Sequence, residues 1–193
     1  MIDIKLLEQL CLCNGISGDE GNVRNLIINE IKDCADDIKT DNLGNLIVFK
    51  KGKKSAKSKL MVSAHMDEVG LMVTDITSDG YLKFDEVGGI DRRVLPGKRV
   101  CVGRNGLNGV IGVKPIHLTN GDEKTAVPKM NDMYIDIGAE SREDALKYVN
   151  YGDGINFEGD FKINGKTVVT KALDDRFGFR IVEIVVGFTE RDI

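Results

Sequence analysis

The chain has 193 residues, of which 41% are hydrophobic and 30% are charged, a composition that excludes an intrinsically disordered protein. The chain has 27 Lys and Arg residues and 31 Asp and Glu residues, which gives a formal net charge of −4. We therefore expect neither a nucleic-acid partner nor an anionic membrane partner. No segment reaches the ~18 consecutive apolar residues of a membrane span, and the N-terminus lacks the features of a signal peptide. We therefore expect a cytoplasmic protein.

The first 68 residues are typical of an α/β domain. Apolar residues at helical spacing predict two helices, over 5–13 and from about 19 to 36. Short apolar runs bounded by turn residues predict three strands: near Ile38, over 45–49 and over 60–64. The third run, Leu60 to Ala64, is short, largely apolar and bounded by polar loops, and it predicts a buried strand of an α/β sheet.

The middle of the chain, residues 69–164, is rich in glycine and in short strands. The predicted strands are 69–77, 81–87, 99–102, 109–113 and 133–137. A single helix over 145–149 interrupts them, with Ser141 at its cap. Many short strands joined by glycine turns indicate a small β-barrel or sandwich.

The last part of the chain returns to an α/β pattern. Asn164 and Gly165 predict a turn, followed by a strand over 166–170 and a helix that begins near Asp174. The simplest organisation is a discontinuous α/β domain, residues 1–68 and 165–193, interrupted by a β-rich insert over 69–164.

The four cysteines of the chain are Cys11, Cys13, Cys34 and Cys101. They show neither a disulfide pattern nor a second pair of zinc ligands. We therefore expect them to stay reduced and to pack as small apolar residues.

Two groups of polar residues could carry chemistry. His65 and Asp67 follow the predicted strand 60–64, and in an extended segment their side chains point to the same face. A carboxylate beside an imidazole can accept its N–H and leave the other nitrogen free for a metal. The alternative is a histidine that closes a strand through a hydrogen bond.

Asp174 and Asp175 form the second group, between a predicted strand and a predicted helix. The alternative to a functional role is that Asp174 caps the helix and Asp175 occupies its first position. Both groups end strands of the same α/β portion, where ligands of open α/β sheets bind, and a divalent metal takes nitrogen and oxygen ligands from distant parts of a chain. Together they indicate a metal site.

These segments resemble those of a known family. Ala64-His65-Met66-Asp67-Glu68-Val69-Gly70 and Ala172-Leu173-Asp174-Asp175-Arg176-Phe177-Gly178 are similar to motifs of the M42 metallo-aminopeptidases, the glutamyl-aminopeptidase and tetrahedral-aminopeptidase group, some of which are labelled endoglucanases. The segments 15–20 and 109–118 also resemble the family. The matches lie in the order that the split-domain organisation predicts.

The resemblance implies an α/β metallopeptidase fold and a hydrolase that removes N-terminal residues from peptides with two divalent ions, Zn, Co or Mn. In it, His65 would bind one metal and Asp174 would bridge both. Asp67 would have a catalytic role by orienting His65, and Asp175 would support the bridge, across a non-proline cis peptide. The insert resembles the family's dimerisation domain, which implies a homo-oligomer.

The family's remaining acidic ligands, its general base and a last histidine have no counterpart after Asp175, so we expect a C-terminally incomplete catalytic domain with little activity and zero or partial metal occupancy. His117, the only other histidine, is not counted as a ligand, although it could reach a neighbouring subunit's site. Two alternatives stay open. One is a non-catalytic oligomerisation module, and the other is a glycan hydrolase.

Overall fold

A computed structural model of the chain describes residues 4–52, 58–115 and 127–179. The fold is mixed α/β with a closed six-stranded barrel, which confirms the predicted fold class. The chain divides into two compact units: unit 1 comprises the described residues of Met1–Glu68 and Gly159–Ile193, and unit 2 comprises those of Val69–Glu158. Within the described ranges, every helix is too short or too polar to cross a membrane.

Unit 1 begins with two amphipathic helices, α1 (Ile4–Leu12) and α2 (Gly21–Ile31). Their apolar faces form one buried cluster, which Phe179 completes from the other end of the chain. The members of the cluster are Leu6, Leu10, Val23, Ile27, Ile31 and Phe179. Helix α2 ends five residues before the predicted end at Asp36, and the chain then turns into the first hairpin.

The first hairpin pairs β1 (Asp37–Thr40) with β2 (Leu46–Phe49) in antiparallel register, as predicted. The turn between them is held by Asp41, whose carboxylate accepts from the backbone N–H groups of Leu43 and Asn45 at 3.0 and 2.8 Å.

The prediction of a buried strand over 60–64 is wrong. These residues form no strand, and Leu60 and Met61 are 82% and 87% exposed. A buried strand needs hydrogen-bonded neighbours on its edges. The described part of unit 1 pairs its strands only within two hairpins, and neither hairpin pairs with this run.

Unit 2 is the barrel. Its strands are β3 (Gly70–Ile76), β4 (Leu82–Val87), β5 (Arg99–Val102), β6 (Leu107–Val113), β7 (Met133–Asp136) and β8 (Gly154–Phe157). They close in the order β3-β4-β7-β6-β5-β8 through antiparallel pairs, with Leu71 opposite Ile155 at the closing β3–β8 contact. Five of the six strands were predicted. The sixth, β8, was not.

Apolar side chains alternate into the barrel interior, as the two-residue period of a strand requires. Leu71 and Val73 are buried along β3, and a register shift between Val73 and Asp75 makes Ile76 the next buried residue. Ile111 and Ile135 are buried on β6 and β7, which pair with each other. A short helix, α3 (Arg142–Ala145), follows β7 and is capped by Ser141, whose Oγ accepts from the Asp144 N–H at 3.2 Å.

Unit 1 resumes with a hairpin of β9 (Lys162–Asn164) and β10 (Thr167–Val169), whose turn contains Gly165 at φ +63°. Helix α4 begins at residue 173 and is described through residue 179. The alternative in which Asp174 caps this helix is wrong, because the helix already includes Asp174 and its first i→i−4 bond runs from Arg176 N to Ala172 O at 3.3 Å.

Candidate functional site

Three predicted site residues meet in unit 1. His65 Nδ1 lies 3.0 Å from Asp67 Oδ1, and His65 Nε2 lies 3.1 Å from Asp174 Oδ1. Nδ1 also lies 3.2 Å from the Asp67 backbone oxygen. The structure therefore brings the two sequence groups together although 109 positions separate His65 from Asp174.

The imidazole of His65 is held between two carboxylates. Burial lowers the pKa of His65, but the hydrogen bonds that the Asp174 and Asp67 carboxylates accept, together with the negative charge of Asp67, outweigh it and raise the pKa above its ordinary value. Because both ring nitrogens lie within hydrogen-bond distance of carboxylate oxygens, these contacts stabilise the doubly protonated form of the ring. A metal ion that replaced a proton on Nε2 would keep the same two partners.

Asp67 is held as an anion. The Ser17 hydroxyl, which donates to Asp67 Oδ2, lowers the pKa of Asp67, and the His65 ring lowers it further against the effect of burial. The two oxygens of Asp67 are thereby divided: Oδ2 accepts from Ser17 and Oδ1 accepts from His65. Such a carboxylate can fix the tautomer and the orientation of a metal-binding imidazole.

Asp174 is the most open member of the site, with its side chain 96% exposed. The peptide bond from Asp174 to Asp175 is cis, and Ala172, just before the helix, has φ +54°. The Asp175 carboxylate lies over Gly178, where any side chain would collide with it. The lack of a side chain at Gly178 therefore leaves space for the Asp175 carboxylate.

The spacing of the two candidate ligand atoms matches part of a metal site. Two ligand atoms about 2.1 Å from a tetrahedral ion lie about 3.4 Å apart, close to the 3.1 Å between His65 Nε2 and Asp174 Oδ1. One imidazole nitrogen and one carboxylate oxygen suit zinc and its neighbours in the transition series. The two atoms therefore fit part of a metal site. Across 4–52, 58–115 and 127–179, no three His, Cys, Asp or Glu residues form a group that could hold a metal.

His117 lies outside the described residues. Residues that the sequence analysis did not single out surround the site: Ser17, Asn14, Glu68, Lys171 and Arg176. Ser17, Glu68 and Arg176 lie within the segments that resemble the family, but nothing in those segments indicates their contacts, because their partners lie 50 or more positions away in the chain.

A buried ion cluster lies beside the site. Lys171 Nζ contacts Glu68 Oε1 at 2.8 Å and Asn14 Oδ1 at 3.0 Å. Arg176, which is 1% exposed, places Nη2 3.5 Å from Cys13 O and 4.0 Å from Glu68 Oε1. Burial raises the pKa of Glu68 and lowers that of Arg176, each opposed by its charged neighbours.

This cluster joins the three segments that carry the site. Glu68 follows Asp67, Arg176 lies in the same helix as Asp174, and Asn14 lies in the loop that leads to Ser17. The backbone adds to the connection, since Glu68 N–H donates to Gly15 O at 2.9 Å and Ile16 forms a parallel bridge with Glu68. Gly15 is needed for this packing, because a Cβ there would lie 2.6 Å from Val23 Cγ2.

The cysteines are unpaired, as predicted, and Cys11 is fully buried. Burial raises the pKa of the Cys11 thiol to about 11, and it also raises that of Cys13.

Comparison with known proteins identifies the family. The sequence profile of the M42 glutamyl aminopeptidases matches residues 44–191. A putative aminopeptidase of Acetivibrio thermocellus is 48% identical over 177 residues, which are 92% of this chain and 51% of that protein. The chain therefore spans about half the length of this relative.

Solved structures give the same result. The TET1 peptidase of Pyrococcus horikoshii, which can assemble into a tetrahedron or a large octahedral shell, is 44% identical with a TM-score of 0.85; the match covers 97% of this chain and 56% of that one. A structure described as an endoglucanase of Thermotoga maritima is 42% identical with a TM-score of 0.83, covering 95% and 54% of the two chains. The chain belongs to the M42 glutamyl aminopeptidase family.

Proposed function

We propose that this chain carries part of the active site of a metal-dependent aminopeptidase, which removes N-terminal residues from peptides. The observation that carries the proposal is the pair of His65 Nε2 and Asp174 Oδ1, 3.1 Å apart, with Asp67 on the other ring nitrogen. Membership of the M42 family supports the reaction, and the four unpaired thiols support a reducing, cytoplasmic location.

The proposed roles follow from the contacts. His65 offers the Nε2 lone pair to a divalent ion, Asp174 offers a carboxylate oxygen, and Asp67 holds the proton on His65 Nδ1. Asp175 supports Asp174 from the neighbouring position in the chain. Two divalent ions, Zn, Co or Mn, polarise a scissile carbonyl and lower the pKa of water when they are bound in sites of this kind.

We propose that these residues alone have little peptidase activity. A catalytic zinc ion takes about three protein ligands, and the described residues bring only His65 and Asp174 together as candidates. A complete two-metal site therefore needs further ligands and a general base beyond those in the described ranges.

Metal binding tests the proposal without relying on activity. The protein is freed of metal with a chelator and titrated calorimetrically with Zn²⁺ and with Co²⁺, whose visible absorption reports its ligands. Both His65→Ala and Asp174→Asn are expected to weaken binding by roughly tenfold or more, since the first removes a ligand and the second replaces a charged ligand oxygen with a neutral one. Asp174 is open to solvent, so its amide variant should fold normally.

Matched controls are available for both variants. His117→Ala removes the other histidine of the chain, and Asp79→Asn removes an exposed carboxylate in unit 2. Both are expected to bind metal as the parent protein does. Equal affinity for the parent, His65→Ala and Asp174→Asn would contradict the proposed site, and a loss confined to His117→Ala would place the metal elsewhere.

A second proposed role is homo-oligomerisation through the barrel. It is supported by the relative from Pyrococcus horikoshii that assembles into closed shells. If assembly were the sole function, light scattering would find an oligomer unaffected by chelator and by His65→Ala, together with no metal binding. Glycan hydrolysis is not proposed, because it needs two carboxylic acids about 5–9.5 Å apart across a sugar, whereas the Asp174 carboxylate contacts an imidazole.

A further inference from the structure

The loop between α1 and α2 reaches the site through the hydroxyl of Ser17. Ser17 Oγ donates to Asp67 Oδ2 across 50 positions of the chain. Backbone contacts on the N-terminal side of Ser17 also hold this loop in place. Ile16 is buried and forms a parallel bridge with Glu68, and Gly15 O accepts from Glu68 N–H at 2.9 Å.

The local structure of the loop does not require this hydroxyl. The N-cap position of α2 is Glu20, not Ser17, and Glu20 Oε1 accepts from the Gly18 N–H at 2.6 Å. The turn itself is formed by the bond from Asp19 N to Ile16 O at 2.9 Å and by Gly18 at φ +89°. The acceptor for the Ser17 hydroxyl is instead the carboxylate that contacts His65.

A carboxylate that accepts from both sides has only one rotamer that satisfies both donors. With Oδ2 held by Ser17, Oδ1 lies 3.0 Å from His65 Nδ1 and Nε2 is left facing Asp174. The side chain of Asp67 is 36% exposed, so without the hydroxyl it can rotate toward water. His65 would then lose the partner that selects its Nδ1–H form.

We propose that Ser17 is a positioning residue of the metal site: its hydroxyl orients Asp67, which in turn holds His65 with Nε2 directed at the metal position. This inference rests on the proposed function. It adds a third segment, the α1–α2 loop, to the two that carry the candidate ligands. The role depends on a hydroxyl donor, so threonine should replace serine and alanine should not.

The test uses histidine labelled with ¹⁵N, since the chain has only two imidazole rings to assign. In the metal-free parent at a pH where His65 is neutral, we expect the ¹⁵N shifts of its ring to report a proton on Nδ1. Ser17→Ala is expected to shift the tautomer population toward Nε2–H and to weaken Zn²⁺ binding by about 10–100-fold. Ser17→Thr is expected to restore both values.

Ser63→Ala, an exposed serine in the same unit, is the matched control and should change neither measurement. An unchanged His65 tautomer and unchanged Zn²⁺ affinity in Ser17→Ala would overturn the inference. Equal losses in Ser17→Thr and Ser17→Ala would also overturn it, because the effect would then come from the loop and not from the hydroxyl. If the parent binds no Zn²⁺, the proposed function fails, while the tautomer still decides whether Ser17 orients His65 through Asp67.

Discussion

His65 Nε2 and Asp174 Oδ1 lie 3.1 Å apart, and this contact joins the residue that follows the run 60–64 to the first turn of α4. The histidine is thereby enclosed by Asp67 on one nitrogen and Asp174 on the other. Both carboxylates stabilise positive charge at one point. The arrangement explains why the same atoms suit a proton in the metal-free protein and a divalent cation in the proposed enzyme.

The pKa of His65 should respond to Asp174. In chelator-treated protein, an NMR titration is expected to give a pKa above 6.5, and Asp174→Asn is expected to lower it because a charged acceptor is lost. A raised pKa in the folded state means that His65 adds stability below pH 6.5, which is lost as the pH rises through the folded-state pKa. Asp79→Asn serves as the control. An unchanged His65 pKa in Asp174→Asn would show that the contact is absent in solution.

Glu68 should be essential for the stability of unit 1. Glu68→Gln leaves Lys171 and Arg176 without their buried counter-charge, at a cost of about 3–5 kcal/mol in the free energy of unfolding. Urea denaturation, followed by hydrogen exchange of unit 1 amides, measures this loss. Glu30→Gln, an exposed position on α2, should stay within about 0.5 kcal/mol of the parent. Similar losses for the two variants would contradict a structural role for the ion cluster.

Cys11 should be the least reactive thiol. It is fully buried and its pKa is raised to about 11, so little thiolate forms at pH 8. Alkylation with iodoacetamide, read by peptide mass spectrometry, is expected to label Cys101 before Cys11, and all four cysteines together after unfolding. Because the folded pKa exceeds the ordinary 9.0, the protonated Cys11 favours the fold below pH 9, and this contribution falls as the pH rises toward 11. Rapid labelling of native Cys11 would contradict its burial.

Two glycines of unit 2 allow the cost of backbone strain to be measured separately from the cost of a steric clash. Gly80 and Gly138 both have positive φ, at +86° and +79°. A Cβ on Gly80 would lie 2.7 Å from the backbone oxygen of Ala139, whereas a Cβ on Gly138 would meet nothing within 4 Å. Gly138→Ala is expected to cost about 1–2 kcal/mol from the left-handed conformation alone.

Gly80→Ala should cost more than this, because the collision adds to the strain. Thermal unfolding of the two variants, compared at the melting temperature of the parent, measures the difference. Equal losses would mean that the β3–β4 turn moves away from Ala139 without penalty.

Local patterns were sufficient for most elements. The two-residue alternation of β3 through β7 and the glycine turns between them predicted five barrel strands, because a strand's apolar face can be recognised within its own sequence. Strand β8 was missed. It has two buried residues, Ile155 and Asn156, in succession, and shows no alternation. For the run 60–64 the sequence predicted a strand that does not form, since an apolar run forms a strand only where another strand can pair with it.

The sequence by itself determined which residues could form a metal site: His65 and Asp174 as ligands and Asp67 beside His65. The chain has only two histidines, and the positions after predicted strands single out these two carboxylates among 31 acidic residues. Only the tertiary structure decided that Nε2 faces Asp174 while Nδ1 faces Asp67, and that Ser17 and the Glu68 cluster lie beside them. The physical reason is that hydrogen bonds and buried ion pairs join atoms that are close in space. Partners 50 to 163 positions apart leave no pattern along the chain.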